Sequence, residues 1–345
     1  MNRKIGFLFV CLILILVACE NRSTNSIRIS KESATETMID ADQSLQSDGT
    51  VIAYVPKSLD NPVFLETKEE AERESLNLDV KIEWVAPMVA NSKGQEQIFE
   101  ALIQRNVDGI IISVIDTERM TSLINKAVSK GIKVATFDSD APSSNRAFYV
   151  GTDNYKLGQA SGEALLKTVK EKNMDKHPLE LMVMTGTKES ENLEQRIQGF
   201  KDATASLDIH IVDVIESYDD INIASELLEN YVKENPDFDL FFSTGGWPFF
   251  APPDGMLAYK KWKANGGIAV SVDTFYPIVS AANEGLVDAL VGQNFQEMGR
   301  LSLKYMYQLI NGEDLDKQKF YTQMEYGNPD NFDELLKNKN PWEIK

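Results

Sequence analysis

The sequence has few of the side chains on which metal sites and nucleophilic catalysis depend. Its 345 residues include two cysteines and two histidines. Zinc sites draw their ligands mainly from cysteine and histidine, and cysteine-dependent enzymes need a thiol beside a base. Because Cys11 and Cys19 both lie within the first nineteen residues, the long remainder of the chain has no thiol. This argues against a disulfide framework, a zinc site and a cysteine nucleophile, and we assign His177 and His210 no function.

Basic residues are also scarce. There are 35 lysines and arginines against 53 aspartates and glutamates, so the formal net charge at pH 7 is -18. An acidic surface repels nucleic-acid phosphates and anionic lipid headgroups. No GxxxxGK[ST] or GxGxxG motif follows the first apolar run, so the usual phosphate-binding loops are missing. We therefore expect a protein that binds no nucleic acid, no cofactor and no metal.

The one conspicuous apolar run stands at the N-terminus. Arg3 and Lys4 precede GFLFVCLILILVA, a run of about thirteen residues that suits a signal peptide and is too short to span a bilayer. The run ends in LVAC at residues 16–19, which resembles a bacterial lipobox. We expect residues 1–18 to be a lipoprotein signal peptide and Cys19 the lipidation site. An ordinary secretory signal with a chance cysteine is the alternative.

The next segment reads as a spacer. Residues 20–48 are polar, rich in Ser, Thr, Asn and Asp, and lack a sustained hydrophobic period. Such composition does not bury enough apolar surface to fold. We expect residues 19–49 to form a flexible tether between the anchored cysteine and a folded body.

From Thr50 the pattern becomes regular, with short apolar runs alternating with amphipathic segments. Helices are predicted over residues 94–106, 118–131 and 157–171. The predicted strands are VIAYV (51–55), VKIEWV (80–85), GIIISV (109–114), KVATF (133–137), ELMVMT (180–185), IHIVDV (209–214), LFFST (240–244), IAVSV (268–272) and DALVG (288–292). Apolar strands joined by helices indicate an α/β fold with parallel sheets covered on both faces. There are more predicted strands than one small sheet contains.

Residues just after these strands are the candidates for function, because ligands of open α/β sheets bind beyond the carboxyl ends of the strands. Carboxylate, amide and guanidinium groups satisfy sugar hydroxyls, and aromatic faces cover the C–H surface of a sugar. No nucleophile with a neighbouring base is apparent, so we expect no enzyme activity. The candidate ligand-binding residues are Asp60, Asn61, Phe64, Asp138, Ser139, Asp140, Asn192, Arg196, Tyr218, Gly245, Trp247, Asp273 and Gln293.

The motifs at these positions resemble those of the sugar-binding proteins of bacterial ABC transporters, typified by the ribose and galactose binders. The resemblance runs from about Thr50 to Tyr321. It is carried, in order, by DNPVF (60–64), Asp138 in ATFDSD, GTDN (151–154), the R-x-x-G-F of residues 196–200, Asp273 in VSVDT and Gln293 in VGQN. In that family, Asp138, Arg196, Asp273 and Gln293 match ligand-binding positions.

This resemblance implies a type I periplasmic binding protein: two doubly wound parallel-sheet lobes joined by three hinge crossings. We expect residues 50–152 plus 294–321 to form the N-terminal lobe and residues 153–293 plus 322–345 the C-terminal lobe, with crossings near Thr152, Gln293 and Tyr321. The implied function is capture of a monosaccharide or polyol for an ABC transporter permease by a monomer that reaches the membrane only through its lipid anchor.

The sequence also departs from the ribose binders. Those proteins have arginine after the fourth-strand aspartate, where this chain has Ser139 and Asp140, so it looks closer to the rhamnose and furanosyl quorum-signal binders. An aromatic ring expected near Val63 is missing, which makes Trp247 and Tyr218 candidates for the stacking surface. Asn192 matches a ligand-facing polar position of the galactose binders.

Other interpretations of these residues stay open. Asp60 or Asn61 caps the helix that begins near Pro62. The Ala-Pro turn alone favours an aspartate at position 140. Arg196 on a helix surface and Trp247 in the core of a lobe are the structural alternatives for those two.

Two other functions use the same motifs. Asp138 and Asp140, two positions apart, are a candidate carboxylate pair of a glycosidase. A sensory receptor that reports to a chemoreceptor or a sensor kinase would bind its ligand with the same clamp as a transport protein.

Overall fold

Strand formation follows the apolar runs. The computed structural model describes residues 49–175, 177–251 and 253–339; Cys19, the signal peptide, the tether up to residue 48 and residues 340–345 lie outside them. Every run predicted as a strand forms one, with ends within two residues of those expected. The described residues belong to one compact unit.

The described residues contain twelve strands, which include three short ones that the sequence analysis missed: β5, β11 and β12. The strands are β1 (Val51–Val55), β2 (Lys81–Trp84), β3 (Gly109–Ile112), β4 (Lys133–Phe137), β5 (Phe148–Gly151), β6 (Leu179–Thr185), β7 (Ile209–Glu216), β8 (Leu240–Ser243), β9 (Ile268–Val272), β10 (Ala289–Gly292), β11 (Lys319–Tyr321) and β12 (Glu325–Gly327).

Ten α-helices lie between and after the strands. They are α1 (Val63–Leu78), α2 (Ser92–Arg105), α3 (Thr117–Ser129), α4 (Asn154–Glu171), α5 (Glu191–Thr204), α6 (Ile221–Glu234), α7 (Leu257–Ala264), α8 (Tyr276–Asn283), α9 (Phe295–Ile310) and α10 (Phe332–Lys339). Asparagine or aspartate side chains accept backbone N–H bonds at the starts of α2, α3, α4, α6 and α9, which satisfies donors that a helix leaves free.

The strands form two sheets of six with the same core order. The first sheet runs β2-β1-β3-β4-β5-β11 and the second β7-β6-β8-β9-β10-β12. All neighbouring pairs are parallel except β10 and β12. In each sheet the strand order reverses beside its first strand, which creates the crevice where doubly wound folds bind ligands.

The predicted fold class is confirmed: the chain forms two parallel-sheet α/β lobes. It passes between the sheets three times, from β5 to α4 at residues 152–153, from β10 to α9 at residues 293–294, and from β11 to β12 at residues 322–324. Apolar clusters cover both faces of each sheet, as expected for buried parallel strands. In the part of the chain that the structure describes, no helix is long and apolar enough to cross a membrane.

Candidate functional site

Three aspartates at strand ends define the site. Asp138 follows β4 with φ of 55°, Asp273 follows β9 with φ of 76°, and Asp219 stands three residues beyond β7 with φ of 57°. Residues other than glycine seldom adopt this left-handed backbone conformation, although aspartate tolerates it better than most. All three carboxylates are buried. The backbone therefore turns at these points in a way that the fold must hold in place.

The three carboxylates border one cavity between the lobes. The volume open to a water-sized molecule in it is about 30 Å³, far below the range of about 300–1,000 Å³ typical of ligand pockets. The lining side chains come from both lobes and from a hinge crossing. They belong to Lys57, Asn61, Val63, Phe64, Asp138, Asn192, Leu193, Arg196, Asp219, Gly245, Trp247, Asp273, Gln293 and Phe295.

Arg196 anchors the second lobe's side of the cavity. Its guanidinium is buried and donates three hydrogen bonds. The acceptors are Asn154 Oδ1 at 2.9 Å, the Thr244 carbonyl oxygen at 2.7 Å and Gln293 Oε1 at 2.8 Å. The planar fork of arginine suits such multiple fixed contacts. The structural alternative of a surface residue does not hold, because the side chain lies inside.

Gln293 connects this guanidinium to Asp273 and to the hinge. Its Nε2 donates to Asp273 Oδ1 at 2.9 Å, and its Oε1 also accepts from Thr152 Oγ1 at 3.0 Å. Thr152 and Gln293 lie in two of the three hinge crossings. The site and the hinge therefore share one hydrogen-bond network.

Burial sets the electrostatics of the aspartates. Burial raises the pKa of Asp273 above its usual range, and the positive charge of Arg196 offsets part of that rise. Asp273 Oδ2 also accepts from the Gly246 N–H at 3.3 Å. Burial likewise raises the pKa of Asp219, against the opposing charge of Lys57. Asp138 Oδ2 accepts from Ser113 Oγ at 2.6 Å, so one of its oxygens is already engaged.

Direct hydrogen bonds join the lobes beside the cavity. Lys57 Nζ in the first lobe donates to Ser190 Oγ in the second at 3.3 Å, and Ser190 Oγ lies 2.9 Å from the Ile115 carbonyl oxygen. Ser139 Oγ donates to Asn192 Oδ1 at 3.2 Å. These contacts describe a closed arrangement of the two lobes.

Aromatic rings cover two sides of the cavity. Phe64 lies edge-on to Phe137 and Phe295, with ring centroids 6.0 and 6.1 Å apart. Trp247 is buried in the second lobe and borders the cavity, so its core role and a stacking role are compatible. A Cβ at Gly245 would lie 2.5 Å from Trp247 Cη2. Glycine is therefore needed for the indole to lie over this backbone.

Asn61 forms a side-chain turn just before α1, whose N-cap residue is Pro62, and also reaches the cavity. Its Oδ1 accepts from the Val63 N–H at 3.2 Å at the start of α1, and the residue lines the cavity. The amide nitrogen is the group left for a ligand.

Four of the predicted site residues lie outside the lining of this cavity: Asp60, Ser139, Asp140 and Tyr218. Asp140 does not line this cavity: its carboxylate pairs with both Arg146 Nε and Nη2, and it also accepts from Thr136 Oγ1 at 2.6 Å. Tyr218 is 56% exposed and lies outside the cavity. Asp60 is also outside the lining, where its backbone N–H donates to the Met88 carbonyl oxygen at 3.1 Å. Ser139 contributes through Asn192 rather than by bordering the cavity.

Two charged lining residues escaped the sequence analysis, Lys57 and Asp219. Lys57 lies two residues after the end of β1. Its position just beyond a buried strand was the sequence signal that could have identified it as a lining residue. Asp219 is the neighbour of the predicted Tyr218. The two residues have φ values of 55° and 57° in succession, so the alternation of a regular strand does not decide which of them points inward.

The donor set does not suit a resident metal. Among residues 49–175, 177–251 and 253–339, no three His, Cys, Asp or Glu side chains are grouped to hold an ion. The lining instead combines hydrogen-bonding groups of both kinds with aromatic rings, which is the chemistry of a polyhydroxylated ligand.

The fold and site define a two-lobed binding protein whose ligand cavity lies between lobes. Comparison with known proteins gives the same class. The chain belongs to the periplasmic binding protein domain family, whose model matches residues 52–314. Membership of this family implies a location outside the cytoplasm.

Individual relatives are distant. A D-ribose/D-allose-binding protein of Pseudomonas aeruginosa is 27% identical over 195 residues, which cover 54% of this chain and 59% of the relative. The matched part thus spans less than two thirds of that relative's length.

Two solved structures are similar over most of their lengths. A solute-binding protein of an ABC transporter from Burkholderia graminis, solved in complex with D-arabinose, has a TM-score of 0.74 at 27% identity and covers 82% of this chain and 96% of its own. A chain of the XylFII–LytSN complex has a TM-score of 0.72 at 26% identity, with coverage of 82% and 98%.

Proposed function

We propose that this protein is an extracytoplasmic receptor that captures a neutral monosaccharide or polyol between its lobes and delivers it to an ABC transporter permease. The observation that carries this proposal is the interlobe cavity, in which Asp138, Arg196 and Asp273 stand beside the rings of Phe64 and Trp247. The sugar names of the relatives point in the same direction.

The charges of the lining favour a neutral ligand. Two cations, Lys57 and Arg196, stand among three carboxylates, Asp138, Asp219 and Asp273. A carboxylated ligand would meet unfavourable charges from the three aspartates. Hydroxyl groups both donate and accept, so a polyhydroxylated ligand satisfies both kinds of side chain.

Binding works through closure in this proposal. A ligand that contacts both lobes stabilises the closed state over the open one, and hinge bending supplies the motion. Because Gln293 and Thr152 lie in hinge crossings and Gln293 bonds to Arg196, the lining of the cavity and the hinge are linked by direct hydrogen bonds. The permease would recognise the closed form, and the receptor would act as a monomer.

No chemistry on the sugar is required. The glycosidase alternative needs Asp138 and Asp140 to face one bond of the substrate, whereas Asp140 is tied to Arg146 and lies outside the cavity. A purified protein that released aryl alcohols from aryl-glycosides, with loss of that activity on Asp138→Asn, would overturn the binding proposal.

We expect a thermal-shift screen to identify the ligand class. A neutral pentose, hexose, deoxysugar or inositol present at 100 times its Kd stabilises the folded state by about 2.7 kcal/mol. This corresponds to a rise in melting temperature of roughly 5–10 °C. Gluconate and amino acids serve as charged controls and are expected to give no shift. A shift with these but with none of the neutral compounds would contradict the proposal.

The likeness to a chain of the XylFII–LytSN complex supports a second candidate function, a sugar sensor. The clamp would be the same, and the closed form would report to a chemoreceptor or sensor kinase instead of a permease. The genes beside this one distinguish the two: permease and ATPase genes favour transport, and a kinase gene without them favours sensing.

We also propose that lipidated Cys19 anchors the protein to the membrane. The proposal rests on the lipobox-like LVAC sequence and the apolar run before it. Metabolic labelling with a radioactive fatty acid is expected to mark the wild-type protein and not Cys19→Ser. Equal labelling of both would contradict the anchor.

A further inference from the structure

Asp219 has a buried oxygen without a partner. The residue is 5% exposed, and its Oδ2 makes no hydrogen bond within the described part of the chain. A buried polar atom in this state is costly, so native structures rarely contain one that serves no purpose. The same residue borders the interlobe cavity.

The local structure is built to hold this carboxylate. Tyr218 and Asp219 adopt the left-handed backbone conformation in succession, which is unfavourable for residues other than glycine. A Cβ at Gly186 would lie 2.7 Å from Asp219 Oδ2. Glycine at position 186 therefore leaves the space that the carboxylate occupies.

Lys57 faces the same cavity from the other lobe. It is 3% exposed and donates one hydrogen bond, to Ser190 Oγ at 3.3 Å, although an ammonium group has three donors. Its charge acts on Asp219, yet the two groups form no ion pair within 4.0 Å. Lys57, whose ammonium group has unused donors, and Asp219, which has an oxygen without a partner, therefore border one cavity but do not pair with each other.

The group that satisfies both must accept from the ammonium and donate to the carboxylate. A hydroxyl does both, an amine loses the contact with Lys57 when protonated, a carboxylate has no proton for Asp219, and a methylene offers neither. We propose that Lys57 and Asp219 together recognise one hydroxyl group of the ligand, and so select for a hydroxyl at that carbon. This inference rests on the proposed sugar-binding function.

The inference also explains how closure depends on the ligand. Lys57 belongs to the first lobe and Asp219 to the second, so one hydroxyl bridges the lobes. A ligand without it leaves both charged groups unsatisfied in the closed state. Sites that bond a hydroxyl reject analogues lacking it far more strongly than apolar pockets reject a missing methylene.

Calorimetric titration of the whole folded chain tests the inference. The probes are D-ribose, D-arabinose, D-xylose and D-galactose with their monodeoxy analogues. For the sugar that binds, we expect one monodeoxy analogue to bind the wild type at least about 100-fold more weakly. In Lys57→Met/Asp219→Ala the parent sugar loses affinity, and the discrimination at that carbon falls below about 10-fold. Discrimination at the other carbons stays as in the wild type. Lys126→Met, whose side chain is exposed on α3, is the matched control and should behave as the wild type.

Each outcome bears on a different claim. A parent sugar that binds the double variant with unchanged discrimination at every carbon overturns the hydroxyl assignment and leaves the proposed function standing. If the double variant does not fold, the single variants Lys57→Met and Asp219→Asn are titrated instead, and each is expected to lose discrimination at the same carbon. If the wild type binds none of these sugars, the proposed function fails and this inference fails with it.

Discussion

Replacing Arg196 with methionine is expected to weaken sugar binding by at least about 100-fold, which corresponds to about 2.7 kcal/mol. The guanidinium donates to Asn154 Oδ1, the Thr244 carbonyl and Gln293 Oε1 inside the protein. A guanidinium has five N–H donors, so two remain for sugar hydroxyls in the cavity that Arg196 lines. Truncating one partner of a buried, charged hydrogen bond across a binding interface costs about 2–5 kcal/mol in binding. Methionine keeps the length of the side chain, so the loss reports the hydrogen bonds and the charge.

The same substitution is expected to lower stability. Each buried acceptor left without a donor costs about 1–3 kcal/mol, although Gln293 Oε1 keeps its bond from Thr152 Oγ1. Arg196→Lys is expected to recover part of the stability and little of the affinity, since a single ammonium does not reproduce three fixed contacts. Arg73→Met, whose side chain is 70% exposed on α1, is the matched control. Titration calorimetry and thermal melts measure the two effects, and sugar affinity of Arg196→Met within threefold of the wild type would contradict this role.

Asp140→Ala is expected to destabilise the first lobe by about 3–5 kcal/mol, the usual cost of breaking a buried ion pair from one side. The Asp140 carboxylate takes both Nε and Nη2 of Arg146, whose side chain is 5% exposed. The variant leaves that guanidinium buried without its counter-charge. At about 2–4 °C per kcal/mol the melting temperature should fall by roughly 10 °C.

A second substitution separates this structural role from a ligand role. Because an apolar pair often replaces a buried ion pair without loss, Asp140→Ala/Arg146→Met should recover most of the stability. Sugar affinity of the double variant should lie within about tenfold of the wild type, since Asp140 lies outside the lining of the interlobe cavity. A variant that melts like the wild type but no longer binds sugar would place Asp140 at the ligand instead.

The strand ends show what a sequence can predict of such a site. Asp138 follows the four buried residues at the end of β4, and Asp273 follows the five buried residues of β9. The rule that ligands bind beyond the carboxyl ends of the strands places both aspartates at the cavity. The short strands β11 and β12 have three residues each and too little apolar character for a period to be visible. Their pairing depends on the rest of the sheet.

The predicted and observed linings of the cavity differ where contacts between distant residues or a strained backbone decide the position of a side chain. The sequence suggested Asp140 as a partner of Asp138, but the Asp140 carboxylate forms an ion pair with Arg146, six positions later in the chain. Tyr218 and Asp219 break the alternation of the strand before them, so only the folded backbone shows that the carboxylate turns inward. Lys57 gains its position from the approach of Ser190 in the other lobe, which no local pattern records.

The most direct test of the account is a crystal structure of the mature chain with the sugar that gives the largest rise in melting temperature. The account predicts one sugar between the closed lobes, with hydroxyls within hydrogen-bond distance of Asp138, Arg196 and Asp273 and a ring face against Phe64 or Trp247. A sugar bound outside this cavity, or closed lobes around a cavity that the sugar leaves empty, would contradict it.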